Sequence, residues 1–210
     1  MRSDVVAFLR RYVRPRGLAG AVRVEIRAQP GGSVTVVKIR DDLPPLPFGP
    51  SGRSPGRRWR ITTQGTFLRS RHFSAREPVA RIQRNRHKRK GRVLFCIDLS
   101  TGEPVAALSF HIDANPRAPV LLTAFALRDD EPALADLALA CVGWMLFYLI
   151  EVSVLLGRPA AVGYEIPHKA TRAPLNSLGF VAATAPAGWG ARAGDYLEFR
   201  ARLHQPRRPR

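Results

Sequence analysis

The sequence predicts an α/β fold built on a mixed, mostly antiparallel sheet with one crossover helix. Three observations predict it. Short apolar runs sit between turn signals at residues 93–99, 104–112 and 120–127. A long helical stretch follows at residues 132–156, interrupted only by Gly143. Another short apolar run comes next, at residues 160–166. Strand, long helix and strand make a crossover, so the strands flanking the helix should lie parallel.

The first run, VLFCIDL, ends at Ser100, Thr101 and Gly102, a small, polar cluster that marks a turn. The second, PVAALSFHI, follows so closely that the two should form a hairpin. Asn115-Pro116 marks the next turn, and VLLTAFAL is the third run. All three are nearly continuous in apolar residues, which suits strands buried on both faces. Asp129, Asp130 and Glu131 precede Pro132. Carboxylates suit the positive end of a helix dipole, and Pro is tolerated in a first turn. Gly157 and Pro159 stop the helix. Residues 167–178 predict a short helix, with Gly179 placed as its left-handed C-terminal cap. Phe180 opens another run, FVAATA. Residues 196–203, YLEFRARL, alternate: Tyr196, Glu198, Arg200 and Arg202 on one face, Leu197, Phe199, Ala201 and Leu203 on the other. That alternation predicts a half-exposed strand near the sheet edge.

The N-terminal part reads as a separate basic module over residues 1–56. Ser3 is placed to cap a helix over residues 4–13. Residues 22–27 and 34–40 alternate around Gln29-Pro30-Gly31-Gly32 and predict a hairpin. LPPLPFGPSGRSPG, residues 43–56, is a Pro/Gly/Ser linker. The main domain is then residues 57–204, with a basic tail at 205–210.

The order of elements over residues 93–203 resembles that of the GNAT superfamily of acyl-CoA N-acyltransferases. Residues 59–67 and 74–84 would supply that family's first strand and first helix. HKATRAPLNSLGF, residues 168–180, resembles the family's run from an Asn through a helix to Leu-Gly-Phe. The resemblance implies transfer of an acetyl or acyl group from acyl-coenzyme A to a primary amine. In the family, a Gly-rich loop after the fourth strand holds the pyrophosphate on backbone N–H groups. The equivalent stretch here is RDDEPA. Arg128 and Ala133 fit its ends, Glu131 stands where the first Gly belongs, and Pro132 lacks an N–H. The resemblance assigns cofactor contacts to Leu127, Arg128 and Ala133, with Leu127 and Arg128 acting through their backbone. The three carboxylates are read as helix-capping residues that would repel a pyrophosphate. Leu175 stands where the family places a proton-donating Tyr, and His168 stands at the family's Asn.

Glu165 and His168 are therefore the candidate catalytic pair. They follow the carboxyl end of the strand after the crossover, where open α/β sheets bind ligands. A carboxylate and an imidazole there could take a proton from an amine. The plainer alternative pairs Glu165 with Lys169 or Arg172 and makes His168 a helix cap. His111 and Asp113 form a weaker pair of the same kind. The second function class is a catalytically silent GNAT-like domain that binds a partner.

Charge points to that partner. The chain of 210 residues has a formal net charge of +18. Residues 1–92 hold 23 Lys/Arg and 5 Asp/Glu, whereas residues 93–210 hold 11 of each. Such asymmetry suits nucleic acid or another polyanion. The densest run, RIQRNRHKRKGR, opens on Arg81 and closes on Arg92. Trp59, Phe67, His72 and Phe73 lie among the basic residues and could stack on bases, with core packing the plainer role for Trp59 and Phe67. Arg outnumbers Lys by 30 to 4, a skew that base composition alone can produce.

LALACVGWMLFYLI, between Asp136 and Glu151, carries no charge. A membrane span needs about 20 predominantly apolar residues, a length reached here only by admitting Asp136, Glu151 and Ser153. The segment is therefore expected to be the crossover helix. Its outer face should be covered by the N-terminal module or by a second subunit in a homodimer. Cys96 and Cys141 are expected to be buried free thiols, and the five scattered His show no metal-ligand spacing. The first residues lack the apolar core of a signal peptide, so a cytoplasmic location is expected.

Overall fold

The structure, a computed structural model, describes residues 22–30, 32–39, 59–63, 72–73, 76–86, 92–130, 132–165, 169–186 and 196–201. The expected N-terminal helix, the Pro/Gly linker, the basic tail and His168 lie outside the described residues.

The elements in chain order are β1 (Val22–Gln29), β2 (Gly32–Ile39), β3 (Trp59–Thr62), α1 (Arg76–Arg86), β4 (Arg92–Asp98), β5 (Pro104–Ile112), β6 (Val120–Leu127), α2 (Pro132–Leu155), β7 (Ala161–Glu165), α3 (Lys169–Ser177), β8 (Val181–Ala182) and β9 (Tyr196–Arg200). The first two strands pair antiparallel as a hairpin, with Gln29 opposite Gly32. The other seven form one sheet in the order β3-β4-β5-β6-β7-β9-β8. Every pairing in it is antiparallel except β6 with β7. That is the mixed sheet the crossover requires.

The two faces of the sheet are covered by different helices. Val79 and Ile82 of α1 pack with Phe73 on Val93, Phe95, Ala107, Ala124 and Ala126. The opposite face, with Leu94, Leu108, Leu122, Phe125 and Val162, packs on α2. This explains why β4, β5 and β6 show no polar alternation. The outer face of α2 meets the N-terminal hairpin: β1 contacts the helix, and Val22 belongs to the same core. Trp59 and Trp144 add an edge-on contact at 5.9 Å between ring centroids. Among the described residues α2 is the one helix long and apolar enough to cross a membrane, and 83% of its window Ala138–Leu155 is buried, as in a core helix. Cys96 and Cys141 are both buried and unbonded to each other as a disulfide.

Both helices that follow the sheet's centre end in the same turn. Gly179 has φ 89, its N–H donates to the Asn176 carbonyl, and that of Phe180 donates to Leu175. Gly157 has φ 66, with matching bonds to Val154 and from Arg158 to Ser153. This paired arrangement is the glycine-capped helix terminus, and only Gly adopts it without a Cβ clash. It places Leu178 and Phe180 in the core on either side of Gly179.

One sequence expectation is corrected. The last strand lies near the sheet edge, as expected, but it is not half-exposed. β9 lies between β7 and β8, and Tyr196, Leu197, Glu198 and Phe199 are all buried. The two-residue strand β8 takes the edge instead. The polar face of β9 stays buried because its groups satisfy one another, as described below.

Candidate functional site

The parallel pairing of β6 with β7 covers three rungs only: Val120 with Val162, Leu121 with Gly163, and Leu122 with Tyr164. β7 ends at Glu165, one residue past the last rung, and the rest of β6, from Thr123 to Leu127, has no partner in β7 among the described residues. β6 is also irregular at this point. On the other side of β6, Ser109 pairs with Ala124 and Phe110 with Leu122, so Thr123 is an extra residue. A β-bulge of this kind bends its strand and increases its twist.

The ladder alternation fixes what the freed edge presents. The N–H of Arg128 donates to the Val105 carbonyl at 2.9 Å. Successive residues of an antiparallel strand turn their backbone groups to opposite sides. Hence Ala126 and Ala124 face β5, while Leu127 and Phe125 direct N–H and C=O toward the β7 side. On the α2 face the rings of Phe125 and Tyr164 lie 6.2 Å apart between centroids.

Polar groups lie near the last rung on the α1 face. On the β6 bank, Ser109 and Thr123 hydroxyls are 2.6 Å apart. The Asn85 amide donates to both, at 3.3 and 3.2 Å. Arg81 donates to the Thr123 carbonyl at 3.2 Å and to Glu77 at 2.7 Å. On the β7 bank, the Tyr196 hydroxyl donates to Glu198 at 2.9 Å, and Arg200 donates to the other oxygen of Glu198 at 2.8 Å. Burial, and then the neighbouring Glu198 carboxylate, push the Tyr196 phenol well above its ordinary range, so it stays protonated.

A charged cluster closes the carboxyl end of β6. Arg128 grips Asp130 with two bonds, at 2.7 and 3.2 Å, and reaches Glu103 at 3.1 Å. His72 Nδ1 lies 2.6 Å from Asp130, and its Nε2 lies 3.5 Å from Glu103. The hydrogen bond from Arg128, with that from His72, holds the Asp130 carboxyl down at about 2 against the opposing effect of burial.

The predicted site residues fall into three groups. Leu127 lies beyond the last β6–β7 rung, with its N–H on the side away from β5. Arg128 lies beside it, but its N–H is spent on Val105 and its guanidinium on Asp130 and Glu103. Ala133 is the second residue of α2. Glu165 ends β7, paired in register with Tyr196 of β9. His111 lies 3.9 Å from Asp113 at the far end of β5. In the β6–α2 turn, Asp130 contacts Arg128 and His72, and so ties the turn to the residue ahead of α1. Leu175 is fully buried, a packing residue.

Sequence reasoning missed Thr123, Ser109, Tyr196 and Glu198. One signal for the last two was present. Tyr196, Glu198 and Arg200 alternate on one face, and Gly163 offers a neighbouring strand without a side chain.

Seven strands in the order found, a helix between the first two, a crossover helix between the fourth and fifth, and a capped Leu-Gly-Phe helix end reproduce the arrangement that the sequence resembles. The fold is GNAT-like. No family model matches the chain, and no curated protein matches it. It is similar to several solved structures at low identity. A mutant form of the AtaT toxin, bound to the C-terminus of the antitoxin AtaR, matches at 12% identity and a TM-score of 0.48, over 68% of this chain and 91% of that one. A chain of the KacTA–DNA complex matches at 12% identity and TM-score 0.42, over 56% and 72%. A provisionally assigned GNAT-family acetyltransferase from Desulfovibrio desulfuricans matches at 13% identity and TM-score 0.38, over 60% and 79%.

Proposed function

We propose that the chain is a divergent N-acyltransferase that moves an acetyl or acyl group from acyl-coenzyme A to a primary amine. The observation that carries this reading is the end of the β6–β7 pairing after three rungs, with the N–H groups of Phe125 and Leu127 turned away from β5; a cleft between the two strands beyond the last rung is part of the proposal. An unpaired strand edge receives an extended, amide-bearing arm by adding to the ladder, which is how pantetheine would sit. The fit is partial. The amide arm has an edge to bind, but two amides of the β6–α2 turn that would face a phosphate are already engaged. The amides of Arg128 and Asp129 already donate to Val105 and His72, and Asp130 remains ionised.

Acyl-coenzyme A, when bound, supplies a thioester carbonyl. A backbone N–H of β6 polarises that carbonyl, as preorganised donors do in acyl transfer. The amine attacks the carbonyl carbon, the carbon–sulfur bond breaks, and the amine gives up a proton. Glu165 and His168 are the proposed acceptors of that proton, at the carboxyl end of β7. The Tyr196–Glu198 pair lies one strand away and orients this bank of the cleft. The reading includes a cytoplasmic location.

Titration calorimetry with acetyl-coenzyme A and with acetyl-pantetheine tests the proposal. Binding of both is expected, with no advantage for the phosphate-bearing donor. Absence of heat with either donor would sink it.

A second reading has its own support. The carboxylates gathered at the end of β6 disfavour an anionic donor, which suits a catalytically silent domain. Its basic half, including residues 81–92, would then contact nucleic acid or another polyanion. Arg81 and Ile82 of that run already face the fold, so only part of it remains for a partner. Retention on heparin that falls steeply between about 50 and 200 mM salt is the expected result for this reading, since released counterions drive such binding.

A further inference from the structure

We propose that Arg81 is a positioning residue that holds the bend in β6 on which the cleft depends; this rests on the acyl-transfer reading for its consequence, not for its geometry. Thr123 is the extra residue of the bulge, so the ladder leaves its backbone without a regular rung. A carbonyl turned out of a sheet needs a donor when it is partly buried. Arg81 supplies one, with Nη1 donating to the Thr123 carbonyl at 3.2 Å. Glu77, one helical turn earlier, holds the other arm of the guanidinium at 2.7 Å. The guanidinium is thus fixed in direction before it meets the strand.

Asn85, one turn later on α1, anchors the same residue by its side chain. Its amide donates to the Thr123 and Ser109 hydroxyls, which also bond to each other. Two consecutive turns of α1 therefore grip one bulge, from backbone and side chain at once. Ile82 lies between them and is fully buried, so the helix cannot roll without losing its core contact. The grip keeps Phe125 and Leu127 aimed away from β5. Removing the charged arm leaves the bend without a fixed direction, while the apolar packing of α1 stays in place.

Amide hydrogen exchange tests this without any ligand. In Arg81→Met, exchange at Ala124 and Ala126, whose N–H groups face β5, should quicken about tenfold, the scale of one lost charge-assisted hydrogen bond. Exchange at Leu94 and Cys96 in β4 should stay as it is. Arg81→Lys, which keeps a cationic donor, should recover part of the difference. Unchanged exchange at Ala124 and Ala126 would overturn the proposal. Uniform quickening at all four amides would also overturn it, since that assigns Arg81 to global stability alone. Should Arg81→Met not fold, Glu77→Gln at its exposed site takes the same readout, with a smaller change at the same two amides expected. In parallel, acetyl-coenzyme A affinity should fall about tenfold in Arg81→Met, matching the loss in strand order. If the unaltered chain binds no acetyl-coenzyme A, the acyl-transfer reading fails, and the exchange pattern still decides the role of Arg81.

Discussion

The hydroxyl of Tyr196 lies against Gly163, across the β7–β9 pairing. A Cβ placed at Gly163 would come within 2.4 Å of Tyr196 Oη and 2.8 Å of Cε2, with Leu121 at 2.9 Å on the other side. The ring thus occupies the space of the missing side chain, and its hydroxyl reaches Glu198 from there. A buried glutamate in mid-strand is sustained by that placement together with Arg200.

Gly163→Ala should therefore displace the Tyr196 ring and loosen its bond to Glu198. The expected loss is about 1–3 kcal/mol in urea unfolding, the usual scale of overpacking. In a Tyr196→Ala background the cost of Gly163→Ala should shrink, because the two residues compete for one space. Strict additivity of the two substitutions would contradict the steric account.

The sheet is legible in the sequence because its evidence is local. Run lengths, turn residues and the glycine after Leu178 are enough to place six strands and the crossover. The bulge is not legible. Thr123 in VLLTAFAL looks like any strand residue, and the extra position emerges only from the register with Ser109 and Phe110. The exposure wrongly expected of β9 has a similar origin. Alternation says which residues share a face. Whether Glu198 is solvated or paired depends on Tyr196 and Arg200 folding back onto it. The Asp129-Asp130 stretch reads as a cap in the sequence because its partner, His72, is 58 residues away in the chain.

Asp130 gives a pH signature. Its carboxyl is held at about 2 in the folded chain, against an ordinary 3.8. A depressed carboxyl stabilises the fold above its ordinary value, and that contribution is lost as pH falls from about 3.8 toward 2. Asp130→Asn should melt lower than the unaltered chain at about pH 6. The gap should narrow as the buffer approaches about pH 2. A gap that stays constant across that range would show that the Arg128 and His72 contacts are not felt through this charge.

Glu151 should behave in the opposite sense. It is buried in α2, and burial raises its carboxyl from an ordinary 4.5 to about 7. Between those values the unfolded chain releases a proton that the folded chain keeps, so stability falls as pH rises from 4.5 to about 7. Glu151→Gln removes that penalty, on the order of 2–3 kcal/mol at pH 8. Thermal melting at about pH 8 should favour the Gln chain, and at about pH 4 the two should nearly coincide. Equal melting at both values would mean that the carboxyl is ionised at no cost inside the helix.

The final prediction concerns the proton. Leu175 is buried in the core, so no acid can act from that place on α3. The proposal puts the base at the end of β7, where Glu165 is paired in register with Tyr196. Glu165→Gln combined with His168→Asn should lower turnover by about 100-fold or more, the usual contribution of a positioned acid–base group. Donor affinity should change little, because a group that moves a proton acts in the transition state rather than in binding. Single-turnover rates with a panel of primary amines would separate the two quantities. Full turnover in the double substitution would remove both residues from the chemistry and direct attention to Glu198. There, Glu198→Gln should disturb the Tyr196 bond and turnover together, whereas Arg200→Gln, at a side chain 70% exposed, should leave turnover nearly unchanged.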